Sequence, residues 1–578
     1  MKASLKANLK DTRLRSFASL LIAPLMILAA TPAPAQQGNA DPAPRAVPAA
    51  SVERPTPPKL IVAISVDQFS ADLFSEYRQL WTGGLARLAG GVVFPQGYQS
   101  HGATETCPGH STILTGNYPA HTGIIANNWY DFSVGREDKR VYCSEDPSVA
   151  GSSSASGRYT ASLNYLMVPT LGDRMRAANP ATQVVSIAGK DRAALMMGGR
   201  QANELWWLAP TGLATLPGRQ ASPLITRIST AITEALARPR DPLPASEKCA
   251  ARSWAVPLGN GQTVGEGRFG RAAGNFRGLM ASPEADGYVL AAAAAVRADR
   301  HMGEGATTDL LIVGLSATDY VGHTYGTEGS EMCHQLLALD QELGDFFNRL
   351  DATGIDYAVV LTADHGGHDT PERNRANAAP TAQRVEAGVS AEALGQQIAQ
   401  ELRISVPGQL IYSDGSFGDF YVNPAVTGAQ KARVIAAAQR ILGQSPQVDR
   451  VVLGSALAAM PIPTGSPEQW TVEQRLRASY MAGRSGDFLV VLKPRVTPIP
   501  DTTHGYIATH GSVWDYDRRV PILFWRRGLA AFEQPNPVMT VDIMPTLAAL
   551  IGLPVQPGSV DGRCLDIYSG PRSLCPVP

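Results

Sequence analysis

The chain has 578 residues, of which 44% are hydrophobic and 17% charged, so it contains enough apolar material for a large folded core. Its 50 Lys and Arg residues are balanced by 51 Asp and Glu residues, which gives a formal net charge of -1. Because there is no excess of positive charge to hold a polyanion, the composition argues against nucleic-acid binding as a main function, and no nucleic-acid partner is expected.

The N-terminus has the three parts of a cleavable signal peptide. A basic start is followed by a mostly apolar stretch, residues 17–30, and then by small residues at 33–35 that suit a signal peptidase. The apolar stretch is shorter than the roughly 20 residues of a membrane-spanning helix. We therefore expect residues 1–35 to be a signal peptide cleaved near Ala35 and residues 36–58 to be a Pro/Ala-rich linker. The mature protein is expected to be periplasmic or secreted, without a membrane anchor, and monomeric.

Four short apolar runs are predicted strands, and each is followed closely by charged or metal-binding side chains. The runs, with the side chains that follow them, are residues 60–66 with Asp67, 183–188 with Lys190 and Arg192, 310–315 with Asp319 and His323, and 357–361 with Asp364 and His365. Continuous apolar runs of this length are typical of a parallel sheet that is covered on both faces.

Helical periodicity at residues 330–350, 391–402 and 429–442 completes an alternating pattern of strands and helices. This pattern predicts an α/β fold with a largely parallel central sheet flanked by helices. In such sheets ligands bind beyond the C-terminal ends of the strands, so the side chains that follow the strands should meet in one site. Residues 59–578 are expected to form this domain, with a cap inserted at about 388–495.

The residues at the strand ends have the chemistry of a metal site. A single Asp after a strand is more often a turn residue or a helix cap, but three such strand ends, two of them with a nearby His, favour metal binding. Asp319 and His323 are one helical turn apart, and Asp364 and His365 are adjacent. Asp and His are good zinc ligands, and two zinc ions about 4 Å apart can clamp the oxygens of a phosphoryl displacement. The third histidine is either His510 or His504 on spacing alone.

Seven motifs in this order resemble those of the alkaline phosphatase superfamily, specifically its phosphate-irrepressible branch with a threonine nucleophile. The resemblance extends from about residue 60 to the C-terminus. The motifs are Val-Asp-Gln at 66–68, Thr-Glu-Thr-Cys-Pro-Gly-His at 104–110, His-Thr-Gly-Ile-Ile-Ala-Asn-Asn-Trp-Tyr-Asp at 121–131, Gly-Lys-Asp-Arg at 189–192, Asp-Tyr-Val-Gly-His at 319–323, Thr-Ala-Asp-His-Gly at 362–366 and His-Gly-Ser at 510–512.

The resemblance implies an alkaline phosphatase-like fold and a role for each matching residue. Thr106 would be the nucleophile, and Asn127, Lys190 and Arg192 would bind the phosphate. The metal ligands would be Asp319, His323 and His510 for one Zn²⁺, and Asp67, Asp364, His365 and the Thr106 oxygen for the other. The family pattern also favours His510 over His504.

These assignments imply an exported alkaline phosphatase that uses two Zn²⁺ ions to hydrolyse small phosphate monoesters through a phosphothreonine intermediate. Three carboxylates and the Thr106 alkoxide would balance the charge of two zinc ions, so Lys190 and Arg192 would leave a net positive site suited to a dianionic monoester. A helix starting within residues 109–115 would add the positive end of its dipole. The same ligands also accept Mn, Fe or Co.

Three other functions use similar residues. A phosphodiesterase or nucleotide pyrophosphatase shares the metal ligands, the Thr and the Asn, and differs in the Lys190 and Arg192 motif. A phosphonate hydrolase and a non-catalytic metal-binding protein are further alternatives. A sulfatase is excluded because Pro108 directly follows Cys107, which does not match the sulfatase signal. Cys107 is expected to be a packed residue or a disulfide partner, and Cys564–Cys575 is the favoured pairing among the six cysteines.

Overall fold

The computed structural model describes residues 56–259, 261–503, 505–569 and 573–575. The predicted signal peptide and almost all of the predicted linker lie outside these ranges, as does His504. None of the helices in the described ranges has the length and apolar character needed to cross a bilayer.

Strands and helices alternate along the described ranges, and their bounds follow in chain order. The strands are β1 (Leu60–Val66), β2 (Val92–Tyr98), β3 (Asn128–Tyr130), β4 (Arg140–Tyr142), β5 (Val184–Ala188), β6 (Glu204–Ala209), β7 (Gly212–Ala214), β8 (Val256–Pro257), β9 (Thr263–Val264), β10 (Asp309–Leu315), β11 (Tyr357–Thr362), β12 (Gln383–Arg384), β13 (Ile411–Tyr412), β14 (Gly418–Val422), β15 (Val448–Leu453), β16 (Phe488–Leu492), β17 (Val496–Thr497), β18 (Arg519–Arg526), β19 (Phe532–Glu533) and β20 (Val538–Met539). The α-helices are α1 (Ala71–Tyr77), α2 (Gly84–Ala89), α3 (Thr106–Ile113), α4 (Pro119–Thr122), α5 (Leu171–Ala178), α6 (Asp191–Gly198), α7 (Pro223–Leu236), α8 (Glu247–Ala250), α9 (Phe276–Met280), α10 (Pro283–Asp299), α11 (Ala317–Tyr325), α12 (Ser330–Asp351), α13 (Pro371–Asn377), α14 (Ala391–Leu402), α15 (Gly428–Gly443), α16 (Gly454–Ala459), α17 (Val472–Ser479), α18 (Asp515–Arg518) and α19 (Ile543–Leu550).

The central sheet confirms the predicted α/β fold. Its strand order is β19-β2-β18-β11-β1-β10-β5-β6-β7, with β20 paired to β2. The neighbours β11, β1, β10, β5 and β6 are parallel to one another. Strand β18 runs antiparallel to both of its neighbours. All four strands that were predicted from continuous apolar runs lie in the parallel part, so their C-terminal ends share one edge.

Both faces of the central sheet are covered, which explains why strands such as β1 carry apolar residues on both faces. In β1, Leu60, Val62 and Ile64 pack into one hydrophobic cluster. The alternate residues Ile61 and Ala63 pack into a second cluster. Because successive side chains of a strand point to opposite faces, the two clusters lie on opposite sides of the sheet.

The predicted cap range, residues 388–495, contains a separate four-stranded sheet with the order β13-β14-β16-β15. Helices α14 and α15 cover this sheet, and together they enclose a hydrophobic cluster that includes Leu394, Phe420 and Phe488. The segment therefore has a core of its own.

Three disulfides join the six cysteines: Cys107–Cys143, Cys249–Cys333 and Cys564–Cys575. The predicted Cys564–Cys575 pairing is confirmed. The expectation that Cys107 is packed or disulfide-bonded is also confirmed, because its side chain is buried and bonded to Cys143.

Candidate active site

Three buried carboxylates meet at the C-terminal edge of the parallel strands. Asp67 directly follows β1, Asp364 follows β11, and Asp319 lies in the first turn of α11, just after β10. Because β1 lies between β10 and β11, these three positions are neighbours at one edge of the sheet. Each carboxylate is at most 2% exposed. Charged groups at this depth require partners or a bound cation.

Two groups of carboxylate and imidazole atoms have the spacing of metal ligands. One group consists of Asp67, Asp364 and His365, and the other of Asp319, His365 and His510; within each, the candidate ligand atoms lie within 4.8 Å of one another. The Nε2 atom of His323 also lies 3.2 Å from Oδ1 of Asp319, and α11 confirms that these two residues are one helical turn apart. The structure therefore brings together all six Asp and His residues that the resemblance indicated, with His365 common to both groups.

Backbone carbonyls fix the orientation of the three imidazoles. The Nδ1 atoms of His323, His365 and His510 each lie 2.8 Å from a main-chain oxygen, that of Ala508, Gly366 and Thr104 respectively. A carbonyl oxygen can only accept, so each Nδ1 carries the hydrogen and donates it. In the neutral ring, Nε2 then carries a lone pair, which is the form that binds a metal.

These lone pairs face carboxylate oxygens, which are also acceptors. The Nε2 atom of His365 is 3.2 Å from Oδ2 of Asp364, and that of His510 is 3.4 Å from Oδ1 of Asp319. Among the described residues, Asp67 Oδ1, Asp319 Oδ1, Asp364 Oδ2 and His365 Nε2 are buried without a hydrogen-bond partner. Acceptors that face each other repel unless a cation lies between them, so the donor set fits divalent metal ions bound by nitrogen and oxygen.

The pKa shifts at the site follow from this concentration of negative charge. Burial and the Asp364 carboxylate raise the pKa of Asp67 well above its usual range. Burial acts to raise the pKa of Asp319 too, but His323 and Lys190 hold it well below its usual range. Burial lowers the pKa of His365, but the Asp364 and Asp67 carboxylates outweigh this and raise it to about 9. A field that binds a proton so tightly at Nε2 also favours a metal cation there.

Helix α3, which begins at Thr106, packs against Asp364 of this cluster. Thr106 is the first residue of the helix, which starts three residues earlier than the sequence predicted. Gly109 packs against the Asp364 backbone so closely that a Cβ atom there would overlap the Asp364 carbonyl oxygen. On the next residue, Nδ1 of His110 lies 3.1 Å from Oδ2 of Asp364. The N-terminal part of α3 is therefore held against the loop that contains Asp364.

Lys190 connects the two carboxylates that belong to different groups. Its Nζ atom lies 2.6 Å from Oδ2 of Asp67 and 2.5 Å from Oδ2 of Asp319. Burial acts to lower the pKa of Lys190, but these two carboxylates raise it above its ordinary value, so the side chain stays cationic. Its place between carboxylates was not foreseen from the sequence, which indicated only a phosphate contact.

Arg192 and Asn127 are each held by a hydrogen bond to the protein. Arg192 is in the first turn of α6, and its Nη1 donates to the hydroxyl of Tyr142, 3.3 Å away. Asn127 immediately precedes β3, and its side-chain oxygen accepts from the backbone N–H of Cys107 at 2.8 Å. The sequence does not single out Tyr142, because its link to Arg192 depends on the β3–β4 hairpin, for which the sequence carries no periodic signal.

Three further histidines differ in their relation to the site. His110 contacts Asp364, as described above. His368 lies 3.3 Å from the Thr497 hydroxyl and 3.7 Å from Asp517 Oδ1. His121 pairs with Asp561 at 2.8 Å and is partly exposed. Of these three histidines, His110 is the one with an ion-pair contact to a residue of the two candidate groups, Asp364.

Comparison with known proteins identifies the family of the chain. The family model for type I phosphodiesterase / nucleotide pyrophosphatase matches residues 61–513. The chain is 56% identical over 524 residues to alkaline phosphatase PhoK of Sphingomonas sp, covering 90% of this chain and 93% of that one. It is 48% identical over 521 residues to alkaline phosphatase PhoD of Zymomonas mobilis, covering 90% of each chain.

The fold agrees as well. The crystal structure of alkaline phosphatase PafA superposes with a TM-score of 0.76 at 24% identity, covering 89% of this chain and 99% of that one. At this identity the match concerns the fold alone. From the sequence relatives and the family model together, the chain belongs to the type I phosphodiesterase / nucleotide pyrophosphatase family and is an enzyme of the alkaline phosphatase superfamily.

Proposed function

We propose that this chain is an exported, two-zinc alkaline phosphatase that hydrolyses phosphate monoesters through a phosphothreonine at Thr106. One observation carries the proposal. The two candidate groups of metal ligands, which share His365, lie at one edge of the central sheet beside the Lys190 ammonium. The names of relatives at 56% and 48% identity support a phosphatase, and no observation favours the phosphodiesterase alternative.

The metal-binding role belongs to six side chains. Asp319, His323 and His510 would hold one ion, and Asp67, Asp364 and His365 the other, with the Thr106 oxygen as a further ligand of the second. When bound, two zinc ions supply positive charge to the entering and leaving oxygens of an in-line displacement. The mixture of imidazole and carboxylate donors supports zinc, although it also suits Mn, Fe or Co.

Thr106 acts as the nucleophile in this mechanism. Its hydroxyl oxygen forms a bond to phosphorus while the bond to the ester oxygen breaks, and the alcohol departs with a proton. Water then cleaves the phosphothreonine, which releases inorganic phosphate and restores the hydroxyl. The position of Thr106 at the first residue of α3 supports this role, because the helix N-terminus stabilises the negative charge of the phosphoryl group.

Phosphate binding falls to Asn127, Lys190 and Arg192. The Asn127 amide nitrogen donates hydrogen bonds, Lys190 adds a compact charge, and Arg192 can contact two oxygens together. Two cations favour a dianionic monoester over a diester, which carries a single charge and a second bulky group. Small phosphate monoesters are therefore the proposed substrates.

Export and a monomeric state complete the proposal. Three disulfides within the described residues favour an oxidising compartment, in agreement with the predicted signal peptide.

The segment at 388–495 acts as a cap: a cavity lined by its residues Phe417 and Tyr421 extends to His510 and Gly511. This contact supports a role for the segment in enclosing the leaving group.

The test compares kcat/KM for p-nitrophenyl phosphate and bis-p-nitrophenyl phosphate, using zinc-loaded protein at neutral to alkaline pH. The proposal expects the monoester to be preferred by at least about 100-fold, because the diester gains little from the Lys and Arg pair. Preference for the diester would contradict the monoesterase assignment and favour the phosphodiesterase. Absence of hydrolysis of both esters would contradict both.

A further inference from the structure

The Asn127 loop and the start of α3 are joined at several points that the catalytic roles do not require. The backbone N–H of Cys107 donates to the side-chain oxygen of Asn127 at 2.8 Å, and the backbone N–H of Asn127 donates to Oε2 of Glu105 at 2.6 Å. The backbone N–H of Cys143 donates to the carbonyl of Asn127 at 2.9 Å. The buried Cys107–Cys143 disulfide joins the same segments covalently. Glu105 and Cys107 are the two chain neighbours of Thr106.

These contacts define the orientation of the Asn127 amide. A backbone N–H needs an acceptor, so the side-chain atom facing Cys107 is the amide oxygen and not the nitrogen. The Nδ2 group then points away from that bond, and its two hydrogens remain available to an oxygen of a bound phosphoryl group. Moving α3 relative to the Asn127 loop would break both reciprocal hydrogen bonds.

The same hairpin extends the connection to Arg192. Tyr142 is the last residue of β4 and directly precedes Cys143. Its hydroxyl donates to Oδ1 of Asp191 at 2.9 Å and accepts from Nη1 of Arg192 at 3.3 Å. The hydrogen bonds and the disulfide together therefore link the neighbours of Thr106 to Asn127 and Arg192, two of the proposed phosphate-binding side chains.

We propose that Glu105 and the Cys107–Cys143 disulfide are positioning groups that hold the Asn127 amide, and through Tyr142 the Arg192 guanidinium, at a fixed distance from Thr106. This inference rests on the proposed function of that site. It assigns to the disulfide a part in transition-state binding in addition to any contribution to stability. Loss of the Glu105 contact or of the disulfide should weaken phosphate binding and slow turnover. The Asp and His side chains proposed to bind metal should stay in place, because other segments hold them.

A second disulfide offers a matched control. Cys249 and Cys333 pack in the hydrophobic cluster on one face of the central sheet, whereas Cys107 and Cys143 pack in the cluster on the other face. The Cys249–Cys333 bond joins α8 to α12 and closes a longer segment, with a sequence separation of 84 against 36. A general destabilisation by disulfide loss should therefore be at least as large in the control.

The experiment compares the unmodified protein with the Cys107→Ala/Cys143→Ala and Cys249→Ala/Cys333→Ala variants, all loaded with zinc. We expect the first variant alone to lose about 10-fold or more in kcat/KM for p-nitrophenyl phosphate and to bind inorganic phosphate correspondingly more weakly, with unchanged zinc content. Equal effects in both variants, or none in the first, would overturn the proposal. Phosphate affinity is measured by calorimetry and does not depend on turnover, so absence of hydrolysis by the unmodified protein would count against the proposed function instead.

Variants of Glu105 and Asn127 separate positioning from folding. Glu105→Gln keeps an oxygen that can accept from the Asn127 N–H, so it should retain most of the activity, whereas Glu105→Ala should lose it. In an Asn127→Ala background, removal of the Cys107–Cys143 bond should add little to the loss, because residues that act through one another are not additive. Full additivity, or equal loss in both Glu105 variants, would overturn the proposal even if the double cysteine variant fails to fold.

Discussion

At Gly109, the addition of a single methyl group should greatly reduce the activity of the enzyme. A Cβ atom there would overlap the carbonyl oxygen of Asp364, and because this obstacle is backbone it cannot move aside as a side chain could. We expect Gly109→Ala to push α3 away from the metal-ligand loop. A displacement on the order of 1 Å can reduce turnover about 100-fold, which a kcat/KM measurement on p-nitrophenyl phosphate would detect.

Gly443 provides the control for that substitution. It is the last residue of α15, and a Cβ atom there would meet no neighbouring atom within 4 Å. Gly443→Ala should leave kcat/KM unchanged. Normal activity in Gly109→Ala would show that the close approach of α3 to Asp364 is not needed for catalysis.

Lys190 should carry much of the preference for monoesters. We expect Lys190→Met to lower kcat/KM for p-nitrophenyl phosphate by about 100-fold or more, and that for the bis-p-nitrophenyl diester by much less. Because the ammonium also separates Asp67 from Asp319, the zinc content of the variant must be measured alongside. An equal fall for both esters at full zinc content would contradict a role in charge selection.

At the scale of elements, the short helix α4 is held to the C-terminal segment by a pH-sensitive pair. His121 on α4 lies 2.8 Å from Asp561, and this hydrogen bond is the largest effect raising the pKa of His121 above its ordinary 6.5. A raised folded-state pKa means that the pair stabilises the protein fully below pH 6.5, and that this stabilisation is lost as the pH rises through the folded-state pKa. The His121 side chain is 45% exposed, so the contribution of the pair is at most about 0.5 kcal/mol.

The corresponding experiment compares the unmodified protein with His121→Gln by denaturant unfolding at about pH 5 and about pH 9. We expect the unmodified protein to be the more stable of the two at the lower pH, and the difference to shrink at the higher pH. A difference that grows with pH would contradict the sign of the shift.

The strands of the parallel sheet could be predicted from the sequence, whereas the first residue of helix α3 and the pairing of distant cysteines could not. Strand β1 occupies the predicted residues because an apolar run buried on both faces has a simple signature. Helix α3 starts before its predicted position, and Pro108 is compatible with this start because it lies in the first turn, where its missing N–H would have no helical partner anyway. A proline there therefore does not exclude a helix that begins at Thr106.

The candidate metal-binding residues could be predicted from the sequence, whereas the residues that position the rest of the site could not. Asp67, Asp319 and Asp364 follow strands, and the rule that ligands bind at strand ends brings them together. The contacts of Glu105 and Tyr142 arise from the fold of a hairpin and from a disulfide between residues 36 positions apart. Six cysteines allow 15 pairings, so no sequence pattern selects that bond.

At the scale of the whole molecule, bound metal should contribute to stability. The acceptor atoms of the two groups repel one another in the folded protein and separate on unfolding, so ions bound only to the folded state stabilise it. We expect chelation to lower Tm by an amount that corresponds to about 3 kcal/mol or more, and added zinc to restore it. Calorimetry would measure this change, and an identical Tm with and without chelator would contradict a metal site at these residues.

In the proposed reaction, Thr106 accepts the phosphoryl group of a monoester in a metal-loaded active site. The most direct measurement is to quench the zinc-loaded enzyme with acid during turnover of p-nitrophenyl phosphate and to locate the phosphoryl group by peptide mass spectrometry. We predict one phosphoryl group on Thr106 in the unmodified protein, none in Thr106→Ala, and loss of most of the turnover in that variant. Rapid hydrolysis by Thr106→Ala, or a phosphoryl group on another residue, would contradict the account.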